Sequence, residues 1–386
     1  MTTPPLPRPI ILDFDGTITT KDTITTLAHL AIIHQDSHGL NLQPAWDTIV
    51  SSYSSDLSSH IAHYHPTKEE RKTLKQEIEY YRSLKEVETK SFDRVSASGI
   101  FKGIGATDER AQYAAIVDDI LASADLKTVT IKQVRTRLAA SLGVDLEAHK
   151  KMLSDLITER FDVANKAVGG LASSMEAKDA PKAGLIGEWH RFGVDAMRDG
   201  LVEARKGIRE FGEVAASQRG LCGVVSVNFS RDFVRGVISV CPGLAGIDVV
   251  ANVSNAAGVL QGFDIYGEGH PKEVIATSDG KLAAMRELLG YWRKQEVLNG
   301  EAPQPIYVGD SGTDLECLME NGIIGIVISE DGESVLMETF DRIGVEVIPI
   351  REFRESEEKS VYWARDFTEI MQSPLFSKLP EQITNN

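Results

Sequence analysis

Two short apolar runs, far apart in the chain, each open directly into aspartates. Ile10-Ile11-Leu12 leads into Asp13-Phe14-Asp15-Gly16-Thr17, and Ile306-Tyr307-Val308 leads into Gly309-Asp310-Ser311-Gly312-Thr313-Asp314. An apolar run ended by turn-forming residues predicts a buried strand that feeds a loop. Between the two, residues from about 21 to 205 are patterned as helices. Leu74, Ile78, Tyr81, Leu84 and Val87 recur at helical spacing in a charged stretch and predict one apolar stripe. Similar periodicity runs through Tyr113 to Leu121, Ile131 to Leu142 and Met152 to Val163, with glycines, Pro66 and Pro181 as punctuation.

The pattern changes near residue 207. Ile208 to Ala216 predicts a helix, and Leu221 to Val227 an apolar strand ending in Asn228-Phe229-Ser230. Ile247 to Ala251, Ile323 to Ile328 and Val345 to Ile348 are further short apolar runs, with helical candidates at Lys281 to Leu289 and Asp314 to Asn321. This alternation predicts an α/β fold with a mostly parallel sheet and helices on both faces. The first strand cannot satisfy its backbone alone, so it must join the later sheet. Residues 21–206 then become an all-helical cap inserted after the first strand, placed to act as a lid. The divisions expected are a flexible N-terminal lead over 1–8, a core made of 9–20 and 207–350, and a C-terminal helical extension or tail over 351–386.

The 386 residues and 42% hydrophobic content are enough for a substantial core. No apolar run is long enough to cross a bilayer, and the Thr- and Pro-rich N-terminus has no apolar signal segment, which points to a cytoplasmic protein without a membrane partner. The formal net charge of -16 argues against general affinity for nucleic acid. Cys222, Cys241 and Cys317 lack metal-ligand spacing and read as buried thiols. His60, His63 and His65 cluster without a convincing remote ligand for zinc.

Two strand ends carrying aspartates suggest one carboxylate-lined site for a divalent cation and phosphoryl transfer. Asp13 is the candidate nucleophile, forming an aspartyl phosphate. Asp15 would protonate the leaving oxygen and then deprotonate water; the alternative is an acidic turn pair. A carboxylate meeting a phosphate dianion at ~3 Å is repelled by roughly 10 kcal/mol at an effective dielectric near 20, so positive charge is required. Asp13, Asp310, a backbone carbonyl and waters would make a hard oxygen site suited to Mg2+. Asp314 either orients the loop or favours a helix start. Lys281 would contact phosphate and nucleophile, with Lys272 as fallback. Ser226 either binds a phosphate oxygen or bonds its own loop, and Asn228 and Ser230 either donate nearby or cap the next helix. Asp22 either reads a substrate amine or hydroxyl or caps the helix beginning near Thr23.

Together these ordered motifs resemble the haloacid-dehalogenase-like hydrolase superfamily, in particular its phosphoserine-phosphatase-like branch. Asp13-Phe14-Asp15-Gly16-Thr17 is similar to its first motif, Ser226 to the second, Lys281 to the third and Gly309 to Asp314 to the fourth. The resemblance implies a Rossmann-like core, Mg2+ dependence with Asp13, Asp15 and Asp310 at the metal, and acid–base work by Asp15. It implies phosphate contacts from Ser226 and Lys281, and a substrate contact at Asp22. The inserted block is much larger than a minimal cap of this branch. An acid at position 15 favours phosphoester over halide release, so the expected function is hydrolysis of a small phosphorylated metabolite. Phosphotransfer in the same fold and a noncatalytic binding or scaffold role for the helical block are the alternatives.

Overall fold

The computed structural model describes residues 8–104, 129–142, 188–217, 221–255, 257–263, 273–294, 303–355 and 361–377, with residue 265 and scattered positions between 117 and 161. The predicted N-terminal lead (apart from Arg8), Lys272, most of Tyr113 to Leu121 and part of Met152 to Val163 fall outside these residues.

Nine strands occur among them. They are β1 (Ile10–Leu12), β2 (Cys222–Val225), β3 (Asp248–Val250), a small antiparallel pair β4 (Val253–Ser254) and β5 (Leu260–Gln261), then β6 (Ile306–Gly309), β7 (Ile324–Ile328), β8 (Val347–Pro349) and β9 (Val361–Ala364). Seven form one sheet in the order β3-β2-β1-β6-β7-β9-β8, and every pairing in it is parallel. The fold is the expected α/β, Rossmann-like arrangement. β1 lies inside the sheet between β2 and β6, with Ile10 opposite both Cys222 and Ile306.

Alternation along β1 explains the two layers. Ile10 and Leu12 enter one apolar cluster with the helices Ile24–Ser37, Glu188–Arg198, Ile208–Ser217 and Arg231–Ser239. Ile11 points the other way, into a cluster with Ser278–Lys294, Leu315–Leu318 and Val335–Arg342. Successive side chains on a strand face opposite sides, so a strand covered on both faces must be apolar throughout, as β1 is.

The described residues between β1 and β2 contain no named strand, only helices. The predicted stripe from Leu74 to Val87 breaks at Leu84 into the helices Leu74–Ser83 and Lys85–Ser98. The break redirects the chain: Leu74, Ile78 and Tyr81 pack against the second cluster, whereas Phe92 and Val95 belong to the first. Inserted helices are thus seated on both sides of the sheet. A buried ionic group fastens one side, where Glu77 meets Arg71 at 2.8 Å and Arg342, on the helix after β7, at 3.0 Å. Arg82 adds a bond of 2.9 Å from its Nε to the buried Glu316.

One expectation is corrected. Among the described residues of 351–386 the chain is not helical throughout, because Val361–Ala364 enters the sheet as β9 between β7 and β8. The Val-Tyr-Trp-Ala run carries β-branched and aromatic side chains that fit a covered sheet face, and that local preference prevails over the acidic helical pattern around it. Helix resumes only at Phe367–Gln372. No helix among the described residues is long and apolar enough to cross a membrane.

Candidate active site

The strand register assembles the site. Leu12 lies opposite Val224 on β2 and Val308 on β6, so two residues further on Phe14, Ser226 and Asp310 emerge side by side at the carboxyl edge. In open parallel sheets this edge is where ligands bind. The Asp13 amide donates to the Val308 carbonyl at 2.8 Å and fixes where the loop leaves the strand.

Asp13, Lys281 and Asp314 are all buried. Lys281, in the first turn of the helix Ser278–Lys294, places Nζ 2.6 Å from Oδ1 of Asp13 and 2.6 Å from Oδ1 of Asp314. Burial opposes its charge, but the two carboxylates outweigh that and hold its pKa above that of an ordinary lysine. Burial, then the Asp314 charge, pushes Asp13 well above the usual carboxylate range, with Lys281 acting against the rise. Burial and Asp314 likewise push Asp310 up to about 6, against a hydrogen bond from the Thr17 hydroxyl at 2.8 Å.

Carboxylate oxygens of Asp13, Asp310 and Asp314 lie within 4.8 Å of one another. The two oxygens of Asp314 are already engaged. Oδ1 accepts from the Tyr307 hydroxyl at 2.6 Å as well as from Lys281, and Oδ2 accepts from the amides of Asp310 and Ser311 and from the Ser311 hydroxyl. Asp314 is therefore an organiser of the loop and the lysine, and Asp13 and Asp310 remain as oxygen donors for a cation. Three clustered carboxylates, two of them buried and the third half-buried, face one ammonium, and the hard oxygens of Asp13 and Asp310 fit a divalent ion such as Mg2+.

The Asp15 side chain is not part of that carboxylate group; it turns instead to the start of the helix Ile24–Ser37. Oδ1 accepts from the Thr23 amide at 2.8 Å and the Thr23 hydroxyl at 2.6 Å, and Oδ2 from the Asn228 amide group at 2.9 Å. The backbone continues past Asp13 and turns at Gly16, so alternate side chains of the loop diverge. Any metal contact from residue 15 is left to its main-chain carbonyl. Burial and the nearby Asp22 charge raise the Asp15 carboxyl to about 6, although these hydrogen bonds favour the ionised form.

Asn228 is committed. Its amide donates to Asp15 and to Thr23 Oγ1, and its oxygen accepts from the Ser230 amide, so it orients Asp15 rather than facing outward. Ser230 accepts from the Phe233 amide and caps Arg231–Ser239, as the capping alternative expects. Asp22 accepts from the Ile24 amide at 2.7 Å, at the helix start. The buried Ser226 hydroxyl accepts from the main-chain N–H of Asn228 at 3.0 Å, which leaves its own hydrogen to donate. Sequence reasoning did not single out Thr23, Tyr307 or Arg205. Thr23 stands beside Asp22 and Tyr307 inside the second strand motif, but neither carries a spacing signal; Arg205 has none at all.

Gly16 lies at φ +77°, and a Cβ there would collide with the Asp310 carboxylate. Glycine thus both permits the turn and lets the two motif loops touch. On the insertion side, the Tyr81 ring fills the space where a Cβ on Gly312 would stand.

Comparison with known proteins adds three findings. Residues 108–161 match the family described as DEK C terminal domain, a minor part of the chain that falls mostly outside the described residues. No curated protein sequence matches the chain. Solved structures similar to it include a phosphoserine phosphohydrolase-like protein from Francisella tularensis subsp. tularensis SCHU S4, 14% identical, covering 94% of this chain and 97% of that one at a TM-score of 0.36. A phospho-aspartyl intermediate analogue of phosphoserine phosphatase is 13% identical, covering 95% and 98% at a TM-score of 0.38. These values are too low to add weight, and the fold rests on strand order and register.

Proposed function

We propose that the chain is a Mg2+-dependent phosphomonoester hydrolase acting on a small phosphorylated metabolite. The observation that carries this reading is the shared ammonium: Lys281 bridges Asp13 and Asp314 beside Asp310, where three adjacent parallel strands end. A carboxylate kept dry and paired with one cation is a poised nucleophile, not a surface acid.

In this reading an Asp13 oxygen attacks phosphorus, the ester P–O bond breaks, and Asp15 gives its proton to the departing alkoxide. Asp15, now ionised, takes a proton from water as the water oxygen attacks the aspartyl phosphate; the bond from Asp13 to phosphorus breaks and the carboxylate is restored. A pKa near 6 lets one group serve in both directions near neutral pH. Lys281 and the Ser226 hydroxyl hold nonbridging phosphate oxygens. Asp13 and Asp310 would hold Mg2+, which would offset phosphate charge during transfer. Residues 21–206 form the cap of this arrangement.

The deciding experiment is a screen of phosphorylated metabolites with controlled Mg2+, with Asp13→Asn in parallel. Selective, Mg2+-stimulated phosphate release that collapses in the variant supports the reading. Equal release by both proteins would defeat it. Retention of label on the protein without release of phosphate would favour phosphotransfer.

A further inference from the structure

The insertion leaves and rejoins the sheet through one narrow junction. Thr19 and Ala204 form an antiparallel bridge, the Thr20 amide donates to the Glu203 carbonyl at 2.9 Å, and the Arg205 amide donates to the Ile18 carbonyl at 2.8 Å. The start and the end of a segment of nearly two hundred residues are thereby held together directly above the first aspartate loop.

Arg205 does more than close this junction. Its Nη2 donates to the Gly16 carbonyl at 2.6 Å and its Nε to the Thr17 carbonyl at 3.0 Å. Both side-chain bonds go to main-chain carbonyls, although Asp310, Glu330 and Asp366 are its charged neighbours. A planar fork can grip two successive carbonyls at once, which a single ammonium cannot. The gripped peptide then acts on the site. The Thr17 hydroxyl, fully buried, donates to Asp310 Oδ1 at 2.8 Å, and the Gly16 main chain abuts the same carboxylate.

We propose that Arg205 is a positioning residue that ties the junction of the insertion to the Asp310 carboxylate, and through it sets the affinity for the divalent cation. The sequence of contacts is Arg205 to the Gly16 and Thr17 carbonyls, then Thr17 to Asp310. Groups that orient a metal-binding carboxylate typically account for about 10- to 100-fold in metal affinity. A shift of the insertion at residues 203–205 would move the same guanidinium, so cap position and cation binding are linked by one side chain. This inference rests on the phosphatase reading for the identity of the site.

The test is calorimetric titration of Mg2+ into substrate-free protein. Wild type is compared with Arg205→Met, Thr17→Val, the double variant and Arg205→Lys, each checked for folding by circular dichroism. Each single variant should bind Mg2+ about tenfold more weakly, and the double variant no more weakly than the worse single one, because both act through one link. Arg205→Lys should recover part of the loss and carries the comparison if Arg205→Met fails to fold. Affinities within twofold of wild type in the folded single variants, or losses that multiply in the double variant, would overturn the proposal. Folded wild type that binds no Mg2+ would remove the phosphatase reading and Arg205's role with it; a wild type that binds normally beside unaffected variants removes Arg205's role alone.

Discussion

Lys281 Nζ stands 2.6 Å from Asp13 Oδ1 with both residues buried, and the same nitrogen stands 2.6 Å from Asp314 Oδ1. One ammonium therefore balances two buried carboxylates. Removing it leaves uncompensated charge, a change that typically costs about 3–5 kcal/mol in a buried pair. Lys281→Met should lower stability to denaturant on that scale and reduce kcat/KM by about 10²- to 10³-fold. Denaturant melts and steady-state kinetics check the two effects separately. A variant that keeps wild-type turnover would contradict the role given to Lys281.

Asp310 makes a prediction about pH. Its carboxyl is raised to about 6 in the fold, against about 3.9 in an unfolded chain. Stability from this group is therefore complete below about pH 4 and is lost as pH rises through 6. In metal-free protein Asp310→Asn should be more stable than wild type at pH 8, by on the order of 2 kcal/mol, with the difference gone at pH 4. Saturating Mg2+ should raise the melting temperature of wild type and leave the variant nearly unchanged. Thermal melts with and without Mg2+ at the two pH values read all of this.

Asp15 should betray itself through leaving-group dependence. As the acid it must hold a proton, so kcat/KM for an alkyl phosphate should fall as pH rises through its pKa near 6. Asp15→Asn should cost about 10²- to 10⁴-fold on alkyl esters and far less in the first transfer from an aryl ester, whose leaving group needs no proton. Equal losses on both ester types would count against this assignment.

Glu77 is the shared partner of Arg71 and Arg342, and it is buried. Glu77→Gln leaves two guanidinium groups facing each other without a carboxylate. Destabilisation of about 3 kcal/mol is expected, and denaturant unfolding followed by tryptophan fluorescence measures it. An unchanged midpoint would mean that the contact does not fasten the insertion.

Much of this architecture is legible in the amino-acid order because its signals are local. Ile10 to Leu12 and Ile306 to Val308 are continuous apolar runs, and a strand covered on both faces requires that. Asp13, Asp310 and Lys281 meet because these strands are neighbours, and short runs ending in aspartate mark them out. What is hidden depends on partners far along the chain. The Arg205 bonds to residues 16 and 17 span 189 and 188 positions, and nothing in the sequence around Arg205 sets it apart from a surface arginine. The turn of Asp15 away from the cation site is hidden for a related reason: it depends on Asn228, 213 positions away. β9 was obscured differently, since four apolar and aromatic residues are outweighed by a helical pattern on both sides.

The place of β1 between β2 and β6 has a consequence for how the molecule comes into being. Ile10 needs Cys222 on one edge and Ile306 on the other. A chain synthesised only as far as Gln304 still holds that strand with an open edge, and pairings of such sequence separation are slow to form. Apolar helices of the insertion can collapse meanwhile, so the aspartate loops acquire their geometry last. Pulsed hydrogen exchange during refolding should show protection at Ile10–Leu12 arriving together with that at Ile306–Gly309; protection of β1 well ahead of β6 would refute that order.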